Sequence, residues 1–252
     1  MAEIKLISEN QLRYLSGLKG FNLIYLEKDY FLTVLLYLLK DTKGICFKGG
    51  TALNKIFLNH KRLSEDLDFT CKTGTEDVKR EITGIMERNK YIFPKHAFEN
   101  QTDKFFRLKV FYKSYFNKES YILLDVNGKA SVILSPEMRE VRHFYDEIPK
   151  FGILTLNAKE LMTEKVRALV MRNQPRDYFD VYALLSMGYK IDIELVKKKL
   201  KEANQEFEVE RIFRNAKKIY SQWNDELSQL TNEQAEYITV IKRLQKEFKY
   251  KE

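Results

Sequence analysis

Apolar positions recur at helical spacing from the start of the chain. Leu12, Leu15 and Leu18 share one face of "SENQLRYLSGL", and "EKDYFLTVLLYLLK" follows, which predicts helix over residues 8–40. "GICFK" (44–48) is a short apolar strand that runs into Gly49-Gly50. "TALNKIFLN" then restarts a helix, with Thr51 as its N-cap and Leu53, Ile56 and Phe57 on one face. "DLDFT" reads as a strand and "EDVKREITGIMERN" (76–89) as an amphipathic helix. "FFRLKVFY" (105–112) and "SYILLDVNG" (120–128) alternate as sheet strands do and are given a turn at Asn127-Gly128; "ASVIL" and "FGILTL" are further strand candidates.

From Asn157 the pattern becomes helical throughout. "NAKELMTEKVRALVMR" opens with an Asn-x-x-Glu cap, and "RDYFDVYALLSMG" follows Pro175. Three more helical stretches come after: "IDIELVKKKLKEAN", "EVERIFRNAKKIYSQWN" and "NEQAEYITVIKRLQKEFK", with a charged tail expected to fray. The expected fold class is therefore α+β: a mixed β-sheet with flanking helices over residues 1–150, then a C-terminal helical bundle over 151–252. No Gly-, Ser- or Pro-rich gap separates the two parts, so they are expected to pack together with a cleft between them.

Composition narrows the class. Apolar residues make up 44% of the chain, enough for a core, and the net charge of +8 with 44 basic residues suits a polyanionic partner such as nucleic acid or nucleotide. A lysine-rich soluble protein would show the same balance. Two cysteines, Cys46 and Cys71, make no disulfide framework and read as free thiols of a reducing cytosol. His60, His96 and His143 have no ligand-like spacing, which argues against zinc. The N-terminus is charged where a signal peptide needs an apolar run, and "YFLTVLLYLL" is about half of a membrane span, so a cytoplasmic protein without a membrane anchor is expected.

The candidate chemistry is concentrated in "FKGGTALNKIFLNHKRLSEDLDF" (47–69). Residues two apart on a strand share a face, so Asp66 and Asp68 project together while Leu67 and Phe69 go to the core. Paired carboxylates suit magnesium, which takes one or two of them and completes its shell with nucleotide phosphates. A strand–Gly-Gly–helix turn lets backbone N–H groups approach those phosphates, and Thr51 adds a hydroxyl. Asp-x-Asp on a solvated strand and a lone Gly-Gly turn are each common; their combination in order carries the argument. Asp125, on the otherwise apolar "YILLDVNG", would complete a carboxylate triad for two-metal chemistry. The plainer alternative is a strand-end carboxylate in water or paired with Lys109.

"KGGTAL", "RLSEDLDF" and the later "EKVRALVMRNQPRDYFDVYAL" together resemble the AbiEii/AbiGii-type nucleotidyltransferase toxins of the DNA polymerase β-like nucleotidyltransferase superfamily. The resemblance runs from residue 27 to about Leu185; Gly50-Thr51 stands where many relatives have Gly-Ser, and the loop from Thr51 to Asp66 is slightly long. It implies a nucleotidyltransferase-like sheet and a magnesium-dependent, pyrophosphate-releasing transfer from a nucleoside triphosphate (NTP). Gly49, Gly50 and Thr51 would bind the triphosphate, Asp66 and Asp68 the metal, and Asp125 would be third ligand or general base. Lys48, Arg62 and Ser64 are further nucleotide-contact candidates. In the second block Lys165 matches a catalytic or phosphate-binding lysine, although a snorkelling surface lysine has the same pattern. Asp180 is favoured over Asp177 for the catalytic role, because Asp177 can be a helix cap, and Arg176 is a fork donor for a carboxylate or phosphate. The implied biology is the toxin of a type IV-like toxin–antitoxin (abortive infection) system, acting on RNA such as the tRNA acceptor end, with an antitoxin protein as partner. A small-molecule or protein acceptor, or a non-catalytic nucleotide binder, remains open at this level.

Overall fold

Polar caps cut the N-terminal apolar run in two. The computed structural model describes residues 4–72, 74–129, 131–232 and 235–250. Helix α1 (Glu9–Lys19) starts on a Ser8–Gln11 capping box and stops at Gly20, which takes the left-handed conformation at φ 71°. Asn22 caps α2 (Leu23–Leu39), which is buried on nearly every side. Among the described residues no helix is long and apolar enough to cross a membrane.

The chain divides into two compact units, Met1–Leu156 and Asn157–Glu252. The first contains a seven-stranded mixed sheet in the order β3-β4-β5-β2-β1-β7-β6. Its strands are β1 (Ile45–Lys48), β2 (Asp66–Cys71), β3 (Lys95–Thr102), β4 (Phe105–Tyr112), β5 (Ser120–Asn127), β6 (Glu137–Glu140) and β7 (Gly152–Thr155). The unit runs past the boundary read at 150 because β7 pairs with β1 in parallel, Phe47 opposite Thr155. Helix α3 (Gly49–Ala52) passes into a π turn (Leu53–Phe57), and α4 is Thr75–Arg88.

Burial alternates strictly along β4 and, from Tyr121 on, along β5, as expected for strands with one packed face. Phe31 of α2 stacks on Tyr112 at 4.2 Å, so α2 lies over the face that buries Phe106, Leu108 and Val110. Arg107, Lys109 and Phe111 belong to the opposite face. The β4–β5 reversal falls at residues 113–119, not at Asn127-Gly128, which ends β5. The buried Glu27 carboxylate of α2 fixes that reversal, accepting from Ser114 Oγ at 2.5 Å and Tyr115 N at 2.6 Å. Polar β3 escaped the pattern. "ASVIL" is not a strand: Ala130 lies outside the described residues, 131–134 are irregular, and the strand forms instead at β6. Cys46 and Cys71 are buried free thiols, as expected.

The second unit is helical: α5 (Ala158–Met171), α6 (Pro175–Ser186), α7 (Ile193–Lys201), α8 (Val209–Phe213), α9 (Ala216–Leu227) and α10 (Tyr237–Glu247). Asn157 caps α5, but Glu160 turns inward to Lys199 at 2.7 Å with both side chains fully buried. The single helix expected over 208–224 breaks at Arg214–Asn215. The final helical stretch begins later than expected, at Tyr237, and its residues 233–234 lie outside the described residues. The tail is tied down: Tyr250 stacks on Phe213 at 4.4 Å and its N–H reaches the Gln245 carbonyl.

One buried ion pair fastens the start of the sheet to α2. Lys55, in the π turn, places Nζ 2.8 Å from Asp29 Oδ2, with both side chains almost wholly buried. The Tyr145 hydroxyl donates to the same Asp29 oxygen at 2.9 Å. Burial pushes the Lys55 amine down from its ordinary value and Asp29 opposes that shift. His60 beside it is held neutral, its pKa pushed down to about 3 by burial and by the Lys55 charge. Removing one member strands the other, so Lys55→Ala should lower stability by about 3–5 kcal/mol. Asp29→Leu/Lys55→Met should recover most of that loss in urea unfolding; a single variant as stable as the parent would show that the pair is not what joins these elements.

Candidate functional site

The Gly-Gly turn owes its shape to what packs against it. Lys48 is extended, and Gly49 turns the chain at φ 76°, a region that L side chains rarely enter. A Cβ on Gly49 would lie 2.0 Å from Asp68 Oδ2. A Cβ on Gly50 would lie 2.8 Å from Arg62 Nη2 and 3.0 Å from Ser64 Oγ. The turn backbone is thus in direct contact with a carboxylate on one side and a guanidinium and hydroxyl on the other, and Arg62 and Ser64 do come to the turn.

Thr51 has a different place from the one expected. It is the third residue of α3, not its N-cap, and is buried. Its hydroxyl donates to the Asp66 carbonyl at 2.5 Å, which pins the turn to β2. Asn54, which the sequence reading passed over, makes a second clip: its amide donates to the Gly50 carbonyl at 3.0 Å and its oxygen accepts from Arg62 N at 3.2 Å. Arg62 is buried and donates to the Leu63 carbonyl at 2.8 Å. The π turn puts Asn54 and Lys55 next to each other in these two separate jobs; such turns recur at functional sites.

A row of charge crosses the sheet beside the turn. Strand pairing sets Lys48 opposite Asp68, Asp68 opposite Asp125, and Asp125 opposite Arg107. Asp66 lies two residues before Asp68 on the same face, opposite Leu123. All three aspartates are half-buried. Arg107 grips Asp125 with both arms, Nε to Oδ1 and Nη2 to Oδ2 each at 2.7 Å. That hydrogen bonding holds the guanidinium even more firmly protonated. Asp125 therefore has an arginine partner, not Lys109, whose ammonium sits instead over the Tyr121 ring at 3.8 Å. Asp66 and Asp68 are hard oxygen donors on one face against a backbone turn, which fits a magnesium ion held by two carboxylates and completed by phosphates. A protein-only triad with Asp125 is not formed: among the described residues no three acidic, histidine or cysteine side chains are placed to hold an ion.

The second block forms an ion network within the helical unit. Lys165 on α5 is buried, with Nζ 2.7 Å from Asp180 Oδ2 and 3.3 Å from Asp177 Oδ1. It does not snorkel. Asp177 is fully buried on the first turn of α6 and takes a two-armed contact from Arg172, Nε at 2.7 Å and Nη2 at 2.8 Å. It is no cap. Burial pushes its carboxyl up, but Lys165 and Arg172 reverse the sign and hold it below its ordinary value of 3.8. The stability it contributes is present above that value and lost as pH falls through the depressed one. Lys165→Ala would leave two buried carboxylates short of a cation, so this substitution tests folding before it tests chemistry. Arg176 finds a carboxylate, Glu226, at 3.5 Å.

The family model for the nucleotidyl transferase AbiEii toxin, type IV toxin–antitoxin system, matches residues 31–248. MenT4, a nucleotidyltransferase toxin from Mycobacterium tuberculosis H37Rv, superposes with a TM-score of 0.72 at 20% identity, covering 96% of this chain and 89% of its own. JHP933 from Helicobacter pylori superposes with a TM-score of 0.59 at 18% identity, covering 89% of this chain and 90% of its own. At these identities the likeness is one of fold. No curated protein matches the chain.

The two glycines should not be equally tolerant. Gly49→Ala meets both a left-handed backbone, about 1–2 kcal/mol, and a carboxylate that belongs to the site. Gly50→Ala meets the far end of an arginine, which can shift. Thermal unfolding and nucleotide binding should both suffer more from Gly49→Ala; equal or reversed effects would mean that the Asp68–Gly49 contact does not shape the turn.

Proposed function

We propose that this chain, which belongs to the AbiEii family of nucleotidyltransferase toxins of type IV toxin–antitoxin systems, transfers a nucleoside monophosphate from an NTP to a hydroxyl of RNA, such as a tRNA acceptor end, with magnesium. That it is a nucleotidyltransferase follows from the family. The family also implies an NTP substrate and an antitoxin partner. The metal, the RNA acceptor and a cytoplasmic site of action are our reading. What supports it most is the placement of Asp66 and Asp68 on one sheet face, with the Asp68 carboxylate packed on the backbone of the Gly49-Gly50 turn.

In this reading the Gly49-Gly50 backbone receives the triphosphate, and Arg62 and Ser64, which border Gly50, add positive charge and a hydroxyl. Lys48, opposite Asp68 on β1, would then lie on the side of the leaving pyrophosphate. Asp66 and Asp68 would hold magnesium, which when bound neutralises phosphate charge and organises the reacting oxygens. Asp125 is next in the row, on the side away from the turn, and in this reading would accept the proton of the attacking hydroxyl, with Arg107 holding its carboxylate. The hydroxyl oxygen bonds to the α-phosphorus, the bond to the bridging oxygen breaks, and pyrophosphate departs. The protein supplies position and charge, as in phosphoryl transfer generally. Lys165, Asp177 and Asp180 satisfy one another inside the helical unit, and we assign them to holding α5 against α6.

The test is a transfer assay with each α-labelled NTP in turn, magnesium and total tRNA. One nucleotide should label RNA, and Asp66→Asn/Asp68→Asn should lower the rate by at least about a thousandfold with unchanged unfolding, the scale expected when charge stabilisation of the transition state is lost. Label on RNA that persists in the double variant would refute the site. Label on a protein or small molecule in place of RNA would refute the acceptor class alone.

A further inference from the structure

The face that carries the carboxylates also carries an aromatic pair with no part in the core. Side chains on this face fall in register rows two residues apart. One row is Arg107, Asp125, Asp68 and Lys48; the next holds Lys109, Leu123 and Asp66. The row after that is Lys95 on β3, Phe111 on β4 and Tyr121 on β5. It lies about 7 Å along the strands from the row of Asp66, from the rise of two residues. The solvated face of an antiparallel ladder is ordinarily polar. Here Phe111 and Tyr121 are direct cross-strand neighbours with ring centroids 6.0 Å apart, and Tyr121 is 39% exposed.

Cations surround the pair. Lys109 Nζ lies 3.8 Å from the Tyr121 centroid and 5.3 Å from that of Phe111, Lys95 Nζ is 4.5 Å from Phe111, and Lys28 Nζ is 5.9 Å from Tyr121. Lys28 also meets Glu65 at 3.3 Å, and Lys95 meets Glu119 at 3.9 Å. Aromatic faces interleaved with lysines are how proteins hold unpaired nucleic acid: rings stack bases while cations follow the backbone.

Position decides which nucleobase. The glycine turn follows β1, on one side of the Asp68–Asp125 row, whereas β5 and β4 extend the sheet on the other. In an in-line displacement the attacking oxygen enters opposite the leaving pyrophosphate. If the phosphates lie on the turn, the acceptor enters over β5 and β4, where Tyr121 and Phe111 stand. We propose that Phe111 and Tyr121 form a stacking surface for an unpaired base near the acceptor end of a single-stranded nucleic acid, with Lys95 and Lys109 contacting its phosphates. This rests on the transfer reading above.

The test is binding, separate from transfer. Fluorescence anisotropy with a labelled single-stranded 12-nucleotide RNA, of about four times the length of the stacking row, and with its duplex, is measured on the full chain. The single strand should bind more tightly than the duplex. Phe111→Leu/Tyr121→Leu should weaken single-strand binding about 5- to 150-fold per stacked base lost, while Phe111→Tyr/Tyr121→Phe retains it and calorimetric affinities for the four NTPs stay unchanged. Lys95→Gln/Lys109→Gln should flatten the salt dependence. Single-strand affinity unchanged in the leucine pair, or no single-strand binding by the parent, would overturn the proposal. So would a loss of NTP affinity in the leucine pair, which would assign the surface to the donor base. Loss of transfer in Asp66→Asn/Asp68→Asn bears on the transfer reading and leaves these binding outcomes untouched.

Discussion

The contact between the Asp68 carboxylate and the Gly49 backbone governs the first unit. A side chain at 49 would displace the Asp68 carboxylate, since its Cβ would fall 2.0 Å from Asp68 Oδ2. The contact requires β1 and β2 to be paired with Lys48 opposite Asp68, and it requires the chain to turn through a left-handed backbone immediately afterwards. Several neighbouring features serve that arrangement. Thr51 ties the turn to Asp66, Asn54 ties it to the Arg62 loop, and Lys55 anchors the following π turn to Asp29 on α2. Each is a buried polar group with a specific partner, and such groups fix geometry better than they add net stability.

Charge is handled differently in the two units. In the helical unit the buried charges have opposite-charge partners within the unit: Lys165 with Asp177 and Asp180, Asp177 also with the exposed Arg172, and Lys199 with Glu160 and Glu164. In the sheet unit Lys55 and Asp29 do the same, but Asp66 and Asp68 sit half-buried beside Lys48, Arg62 and the row leading to Arg107. Carboxylates lined up on one face repel each other unless positive charge is near. Arg107 supplies it for Asp125, and Lys48 stands opposite Asp68; in the reading proposed above, a divalent ion would add to it at Asp66 and Asp68.

Most of the fold was legible because its signals are local. Period-two alternation located β4 and β5, apolar helical spacing located α1 and α2 as one undivided stretch, and the Asn157 cap located α5. Polar β3 carries no such signal, and β7 joined the first unit through a long-range pairing that no local pattern encodes. At the candidate site, the turn at the glycines and the shared face of Asp66 and Asp68 were legible from spacing. The Arg107–Asp125 clamp was not, because register between β4 and β5 depends on a loop held by Glu27, nearly ninety residues away in the chain, at a separation of 87 to Ser114. Thr51 was misread for a related reason: a threonine after two glycines looks like a cap until the next strand is placed beside it. The surface-lysine and helix-cap alternatives for Lys165 and Asp177 fail because the partners of these side chains come from a different helix or a different turn, which no local pattern encodes.

The central claim is that Asp66 and Asp68, against the glycine turn, form a joint seat for a divalent ion and a triphosphate. Manganese is the probe, as a spectroscopic stand-in for magnesium, with electron paramagnetic resonance of the free ion measured with and without a non-hydrolysable NTP. The nucleotide should tighten manganese binding, and Asp66→Asn or Asp68→Asn should abolish that tightening while unfolding stays unchanged. Manganese binding that is indifferent to both the nucleotide and the two aspartates would contradict the account.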